Sequence, residues 1–422
     1  MPSRLLIMNN YATPFARPLY LMAKPVGSVC NLNCAYCYYL EKSNLYRDEN
    51  KKRVFNMSDE MLETFIRKYL EAQAMPQALF TWHGGEPLMR PVGFYEKALA
   101  LQRKYGKGML VENCIQTNGT LLTDQWCEFF RRNNWLVGIS IDGPREFHDK
   151  YRRTRTGAPS FSKVMQGINL LNKHGVEWNA MAVVNDHNAG HPLEFYQFFK
   201  DIGCRYIQFT PIVERILPHS DGRHLASATD TGQEIPVADY SVRPGQWGEF
   251  LCTIFDEWVR HDVGSTFIQL FDATLANWAG QEPGVCSLGR SCGHAAVMEH
   301  NGDVYSCDHF VFPEYKLGNL RSQSLVEMIA GEKQTSFGIS KRSTLPRQCL
   351  ECRFTDICNG ECPKNRFCIT SDGDHGLNYL CRGYHRFFSH SAPFMEFMKS
   401  EYEAGRPPSN VMAIADKIAS RR

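Results

Sequence analysis

From residue 20 to about residue 211 the chain alternates between two hydrophobic rhythms. Short apolar runs rich in β-branched and aromatic residues fall at Leu21–Pro25, Ala78–Trp82, Met109–Gln116, Leu136–Ile141, Trp178–Val184 and Tyr206–Thr210. Between them, apolar residues recur three and four positions apart, the spacing of one helix face. Asp59–Ala72 shows this most clearly. Ser58 is placed to cap it, and Met61, Leu62, Phe65, Ile66 and Tyr69 share a face. Val92–Tyr105, Thr123–Asn133, Ser162–His174 and Pro192–Ile202 repeat the plan. Strict strand–helix alternation predicts an α/β fold with a parallel sheet and right-handed crossovers. Six units are fewer than a closed eight-fold barrel needs. In such sheets the chemistry belongs in the loops at the carboxyl ends of the strands.

Further on, Ser220–Pro244 is polar and without period, which reads as a long loop or linker. Trp247–His261 has Phe250, Leu251, Ile254, Phe255 and Trp258 on one helical face, and Leu270–Ala279 reads as another helix. Ala295–Glu299 and Asp303–Tyr305 flank Asn301-Gly302, a hairpin signal. Arg386–Arg422, with Phe387, Phe388, Phe394, Phe397 and Met398, reads as a packing helix. The expected division is an α/β unit over residues 1–245, a helical linker over 246–285, a cysteine-rich domain over 286–385 and a helical segment over 386–422.

Composition narrows the function. With 422 residues, 43% hydrophobic and 22% charged, the chain is long and apolar enough for a sizeable core. A net charge of +2 gives no electrostatic case for nucleic acid or a membrane surface. No 18-residue apolar run spans a bilayer, and Met1–Pro18 lacks the apolar core and cleavage site of a signal peptide, so the expected location is the cytoplasm. Sixteen cysteines without an export signal argue for metal or redox duty, not disulfides.

The first cysteines sit in the loop after the first strand, at Cys30, Cys34 and Cys37. Three thiolates on one short loop can hold three corners of a cubane cluster and leave one iron open to a small chelating ligand; a zinc knuckle is the alternative. After the second strand comes His83-Gly84-Gly85-Glu86-Pro87, where two glycines permit close backbone approach and a carboxylate can meet an ammonium group. Gln116-Thr117-Asn118-Gly119 follows the third strand, Ser140-Ile141-Asp142-Gly143-Pro144 the fourth, and Thr210-Pro211-Ile212-Val213-Glu214 the sixth.

The second cysteine field runs Cys286, Cys292, Cys307, Cys349, Cys352, Cys358, Cys362, Cys368 and Cys381, with Pro363 after Cys362 as in cluster loops. Eight of these nine suffice for two four-thiolate clusters. Structural zinc also takes four cysteines, and spacing alone leaves both open. Cys114, Cys127, Cys204 and Cys252 lie in strand or helix patterns and read as packing residues.

The C-x3-C-x-aromatic-C loop, with Tyr36 as its aromatic, resembles the signature of the radical S-adenosylmethionine (radical SAM) superfamily. The later cysteine order resembles the SPASM-type auxiliary domain of peptide-modifying members. The Cys307-Asp308 pair narrows the resemblance to anaerobic sulfatase-maturating enzymes. The resemblance implies a six-unit partial (β/α)6 barrel with a C-terminal auxiliary domain, and SAM with three [4Fe–4S] clusters as cofactors. Cys30, Cys34 and Cys37 would hold the first cluster; Cys286, Cys292, Cys307 and Cys362 the second; Cys349, Cys352, Cys358 and Cys381 the third, leaving Cys368 spare. For SAM it implies the amino group at Gly84, Gly85 and Glu86, ribose and carboxylate at Ser140 and Arg152, and adenine against backbone at Tyr36 and Val213. Tyr39 and Gln116 would face the substrate.

The activity implied is oxidation of a Cys or Ser in an unfolded sulfatase segment, C/S-x-P/A-x-R, to formylglycine. A 5′-deoxyadenosyl radical would take a hydrogen from Cβ, and Asp308 would act as general base. The electrons would come from an external one-electron reductant of flavodoxin or ferredoxin type. Proton transfer from a free thiol to an ordinary Asp is uphill by roughly 6 kcal/mol. A raised Asp308 pKa, or a substrate acidified by the radical, is expected to close that gap. The nearest rival is a SPASM-type peptide maturase that makes a thioether crosslink or an epimerised residue. Such enzymes often carry a leader-binding module before the barrel, and a cysteine loop starting at residue 30 leaves no room for one. An electron-transfer protein has no use for the Gly84-Gly85-Glu86 loop, and a zinc-scaffolded module would be colourless.

Overall fold

The computed structural model describes residues 18–46, 55–217, 224–226, 230 and 235–420. The stretch read for a signal peptide lies outside them except for Pro18, as does part of the polar run at 220–244. In chain order the alternation is β1 (Tyr20–Lys24), α1 (Asp59–Glu71), β2 (Gln77–Trp82), α2 (Val92–Tyr105), β3 (Leu110–Thr117), α3 (Asp124–Arg132), β4 (Leu136–Ser140), α4 (Arg145–Tyr151), α5 (Phe161–His174), β5 (Trp178–Val184), α6 (Pro192–Asp201) and β6 (Tyr206–Pro211). Six strands stand where the hydrophobic runs placed them. The pattern did not foresee α4, a short helix with only two buried residues, Phe147 and His148.

Local chemistry sets the element ends. Ser58 is extended, and its hydroxyl accepts the Met61 N–H at 3.1 Å, which starts α1. Thr123 caps α3 in the same way, and Gly175, left-handed at φ 63°, ends α5. The polar run near 220 is more ordered than a linker where it is described: Ile216–Leu217 pairs with His224–Leu225, and Ala238 N–H reaches the Glu214 carbonyl at 2.8 Å.

The contacts divide the chain into two compact units that interleave along the sequence. One comprises residues 1–139, 153–177 and 292–340; the other comprises 140–152, 178–291 and 341–422. In the first unit β1, β2, β3 and β4 run parallel and in order. On the free side of β1 lies a strand from the cysteine-rich region, β8 (Ala295–Glu299), parallel to it with Lys24 opposite Glu299. It turns at Gly302, left-handed at φ 92°, into antiparallel β9 (Asp303–Tyr305), followed by β10 (Lys316–Asn319). The expected hairpin is therefore present, and it extends the α/β sheet itself. The core of this unit is aromatic: Phe65, Phe80, Trp82, Tyr95, Phe129, Phe130 and Trp135 are almost fully buried, with Trp82 and Trp135 stacked at 6.4 Å.

In the second unit β5 and β6 pair in parallel, with β7 (Phe267–Ile268) beyond them. Helix α7 (Pro244–His261) is followed by α8 (Gln269–Trp278), and the C-terminal helix α9 spans Cys381–Glu403. Helix α9 begins five residues before the expected Arg386, so Cys381 is its first residue and not the end of a loop. Its backbone lies close against α7. A Cβ added at Gly383 would sit 2.3 Å from the Pro244 carbonyl oxygen, so no larger residue fits there. Phe255 of α7 meets Phe387 and Phe394 of α9 at 5.8 and 5.6 Å. The chain ends in a short helical turn, Pro408–Ile414, and a last helix, Ala415–Ala419.

Candidate active site

In the first unit the loops after β1, β2 and β3 are tied together by hydrogen bonds. The Gly85 and Glu86 N–H groups donate to the Gly27 and Val29 carbonyls at 2.7 and 2.9 Å. A Cβ on Gly85 would fall 2.0 Å from the Val29 oxygen, so the glycine is required by the approach of the cysteine loop itself. The Glu86 carboxylate, read from sequence as an ammonium ligand, is fully buried and turned inward. It accepts from Thr117 Oγ1 (2.7 Å), Leu88 N (2.9 Å) and Asn118 N (2.8 Å). Burial pushes its pKa up to about 7 against the pull of these bonds. Glu86 is thus the anchor of its loop.

Cys30, Cys34 and Cys37 stand on this framework as reduced cysteines, each partly buried, and Tyr36 of the same loop is buried. Burial, then Glu86, and then the neighbouring Cys34 and Cys37 sulfurs push Cys30 up to about 12, while the Leu32 N–H, 3.3 Å from its sulfur, pulls the other way. Such thiols gain little as isolated side chains; a bound cationic centre would reverse the balance and hold them as thiolates. Arg155 Nε donates to the Cys30 carbonyl at 2.8 Å and fixes the start of the loop.

Asp308 follows β9 and lies by the end of β1. One carboxylate oxygen pairs with the ammonium of Lys24, whose side chain is 0% exposed, and the other accepts the hydroxyl of Tyr38. Lys24 also lies over the Tyr39 ring, 3.1 Å from its centroid. The Tyr39 hydroxyl is buried and has no hydrogen-bond partner among the described residues. Burial alone would raise the Asp308 pKa. The charges of Lys24, His83 and His309 outweigh it and hold the carboxyl well below its usual range. Of the two ways expected to close the gap in proton affinity, this sets aside a raised Asp308 and leaves an acidified substrate: β8 inserts beside β1, and a buried lysine at the end of β1 meets the carboxylate. Sequence reasoning missed both Lys24 and Tyr38. A lysine at the polar end of an apolar strand was the one visible signal. Burial, together with the Asp308 carboxylate, pushes Tyr38 well up, and burial followed by Lys24 brings His83 down to about 4. Gln116 is half-buried at the carboxyl end of β3, opposite Gly138.

In the second unit Ser140 ends β4, and Arg152 is buried, its Nε on Asp142 at 2.9 Å. Asp142 also accepts the Val183 N–H at 2.9 Å, so the guanidinium has a fixed heading. The Val213 carbonyl accepts from Lys364 Nζ at 2.9 Å, and the same ammonium reaches Glu214 at 2.5 Å.

This unit also carries Cys286, Cys349, Cys352, Cys358, Cys362, Cys368 and Cys381; Cys292 and Cys307 belong to the first unit. Burial lifts Cys358 to about 12 and Cys381 to about 11. Cys349 and Cys381 raise Cys358, and Cys349, Cys352 and Cys368 raise Cys381. These five sulfurs, linked through Cys349 and Cys381, include the four that the resemblance assigns to one cluster, with Cys368 beside them. Among the described residues no three His, Cys, Asp or Glu side chains converge on a point as a single metal ion requires. Between Cys358 and Cys362 the backbone is left-handed at three successive residues, Asn359, Gly360 and Glu361. Arg366 donates to all three carbonyls, at 2.8, 2.8 and 3.0 Å, a clamp that no spacing in the sequence advertised.

Two family models match this chain: the radical SAM superfamily over residues 25–199, and the iron–sulfur cluster-binding SPASM domain over residues 286–353. A serine-type anaerobic sulfatase-maturating enzyme of Bacteroides thetaiotaomicron is 68% identical over 404 residues, 96% of each chain. The chain belongs to the anaerobic sulfatase-maturating enzymes. A cysteine-type member of the family from Clostridium perfringens is 32% identical over 89% of this chain and 97% of its own. The solved structure of native anSMEcpe with bound AdoMet and Cp18Cys peptide superposes with a TM-score of 0.78 at 30% identity, over 91% of this chain and all of that one. The fold is the radical SAM α/β fold with a C-terminal SPASM domain, and the protein is an enzyme of radical SAM chemistry. No helix among the described residues is long and apolar enough to cross a membrane.

Proposed function

We propose that this enzyme oxidises a Cys or Ser in an unfolded sulfatase segment of the pattern C/S-x-P/A-x-R to formylglycine, with serine preferred. The serine preference is supported by the serine-type relative at 68% identity. The observation that carries the reaction is the Lys24–Asp308–Tyr38 constellation, with Lys24 fully buried, beside the cysteine loop.

Three [4Fe–4S] clusters are proposed, on Cys30/Cys34/Cys37, on Cys286/Cys292/Cys307/Cys362 and on Cys349/Cys352/Cys358/Cys381. When bound, SAM and the clusters supply removal of a hydrogen atom from Cβ and uptake of the second electron. The chain's own residues do the rest. Asp308, ionised and held at both oxygens, accepts the hydroxyl proton through its remaining lone pairs. Since Lys24 keeps this carboxyl low, the gap in proton affinity must be closed on the substrate side, by acidification of the hydroxyl once Cβ has lost its hydrogen. Serine thereby loses two hydrogens and becomes the aldehyde. The backbone at Gly84 and Gly85 meets the amino group of SAM, Arg152 with Ser140 its carboxylate and ribose, and Tyr36 and Val213 its adenine. The buried, unpartnered Tyr39 hydroxyl and Gln116 are assigned to the substrate backbone.

The expected functional division is an α/β unit over 1–245, a linker over 246–285, the auxiliary domain over 286–385 and a packing segment over 386–422. Sixteen cysteines, most of them read as cluster ligands, support a reducing cytoplasm, and the reaction calls for an external one-electron donor of flavodoxin or ferredoxin type. The test is anaerobic incubation of the reconstituted enzyme with SAM, dithionite and paired S-x-P-x-R and C-x-P-x-R peptides. A loss of about 2 Da from Ser, faster than about 18 Da from Cys, is expected from the atoms removed. Intact peptides alongside SAM cleavage would overturn the reading.

A further inference from the structure

Around Cys30 the polar atoms form a connected set that the reaction as described leaves unused. Asn118, one residue past β3, is buried. Its Oδ1 accepts from Thr120 N at 3.0 Å and Thr120 Oγ1 at 2.7 Å. The backbone donor settles which end of the amide is oxygen. The Nδ2 end therefore points at the Cys30 sulfur (3.6 Å) and at Asn31 Oδ1 (2.9 Å). Asn31 Nδ2 in turn donates to Thr120 Oγ1 at 2.8 Å, which closes the ring. On its other side the Asn118 backbone N–H donates to Glu86 at 2.8 Å. One residue thus touches a cluster-loop sulfur with its side chain and the anchor of the Gly84-Gly85 loop with its backbone.

A hydrogen bond donated to a cysteine sulfur draws negative charge from it, and such bonds are among the levers that set a cluster's potential. We infer that Asn118 is a positioning residue that raises the reduction potential of the centre on Cys30, Cys34 and Cys37 and holds the Gly84–Glu86 loop in step with it. The inference rests on the proposed reading that these cysteines hold a cluster and that the loop meets SAM.

The test uses the full-length reconstituted enzyme and two variants. Asn118→Ala removes the donor; Asn118→Asp keeps the shape, replaces the donor with an oxygen and adds a negative charge beside the sulfur. Both keep the backbone N–H to Glu86. Iron per chain should equal wild type. The midpoint potential of the SAM-responsive paramagnetic signal should move negative in both, and further for Asp. Dithionite-driven SAM cleavage should fall roughly tenfold or more, the usual cost of losing an outer partner of a metal ligand. An unchanged potential in both variants overturns the inference. Loss of the cluster in both also overturns it, because Asn118 would then be only a brace. If no signal of the wild type responds to SAM, it is the reading of the site that fails, not the role of Asn118.

Discussion

Replacing Lys24 with methionine removes the cation from Asp308 while keeping an unbranched chain over the Tyr39 ring. The side chains of the pair are 0% and 17% exposed. Lys24 is buried outright and Asp308 keeps only a narrow exposed edge, so water replaces the lost ammonium in part at most, and Tyr38 offers one neutral donor. Breaking one side of a buried pair costs about 3–5 kcal/mol, because the partner stays behind as an uncompensated charge. At about 2.1 cal/mol/K per residue over 422 residues, that is a fall in Tm of roughly 3 to 6 °C. Lys24→Met/Asp308→Asn leaves no charge stranded and should recover most of the loss, so the two substitutions should be strongly non-additive. The assay is thermal unfolding at fixed scan rate and matched iron content, alongside the ratio of aldehyde formed to SAM cleaved. That ratio should drop in Lys24→Met, since one oxygen of Asp308 is no longer held. Equal Tm for wild type and Lys24→Met, with additive behaviour in the double variant, would refute the reasoning.

Asp308→Asn keeps the shape and the Tyr38 contact but cannot take a proton; SAM cleavage should persist while aldehyde falls about 10²- to 10⁴-fold, and undiminished aldehyde by mass spectrometry removes Asp308 as the base. His148 is buried and its pKa is lowered by that burial to about 4, with its Nδ1 accepting the Asp142 N–H at 3.3 Å. The unfolded chain takes up this proton near pH 6.5, so its contribution is complete above 6.5 and is lost as pH falls toward 4, by about 3 kcal/mol at most. Relative to His148→Asn, wild type should therefore lose about 3 °C of Tm between pH 7 and 4, and parallel curves would count against the burial argument. Glu86, raised by burial to about 7, works in the opposite direction over nearly the same range, so wild type alone should show a shallow profile. Arg366→Met releases the left-handed run at Asn359–Glu361; iron per chain should fall while SAM cleavage survives, and full iron content would show that the clamp is dispensable.

Periodicity and spacing determined much by themselves. The two hydrophobic rhythms located six strands and their helices to within a residue or two. Burying an apolar face is a local demand, and Ser58 and Thr123 mark helix starts by short-range hydrogen bonds. Cys30, Cys34 and Cys37 were legible as a group because a cluster loop needs its ligands close together in sequence. In the C-terminal cysteine field spacing left zinc and iron–sulfur clusters both open, and the division of its cysteines into two sets came only from the resemblance, since each set draws on residues far apart in the chain. Tertiary structure decided what surrounds these residues. Only the insertion of β8 beside β1 brings Lys24 to Asp308 and decides between the two alternatives left open for its pKa. Only the folding of the loop after β2 against β3 turns Glu86 inward and places Asn118 on the Cys30 sulfur. Only a closed turn shows why Arg366 sits where it does. Each depends on partners far apart in the chain, and the electrostatics of a buried charge belong to its neighbours in space, which no window of sequence contains.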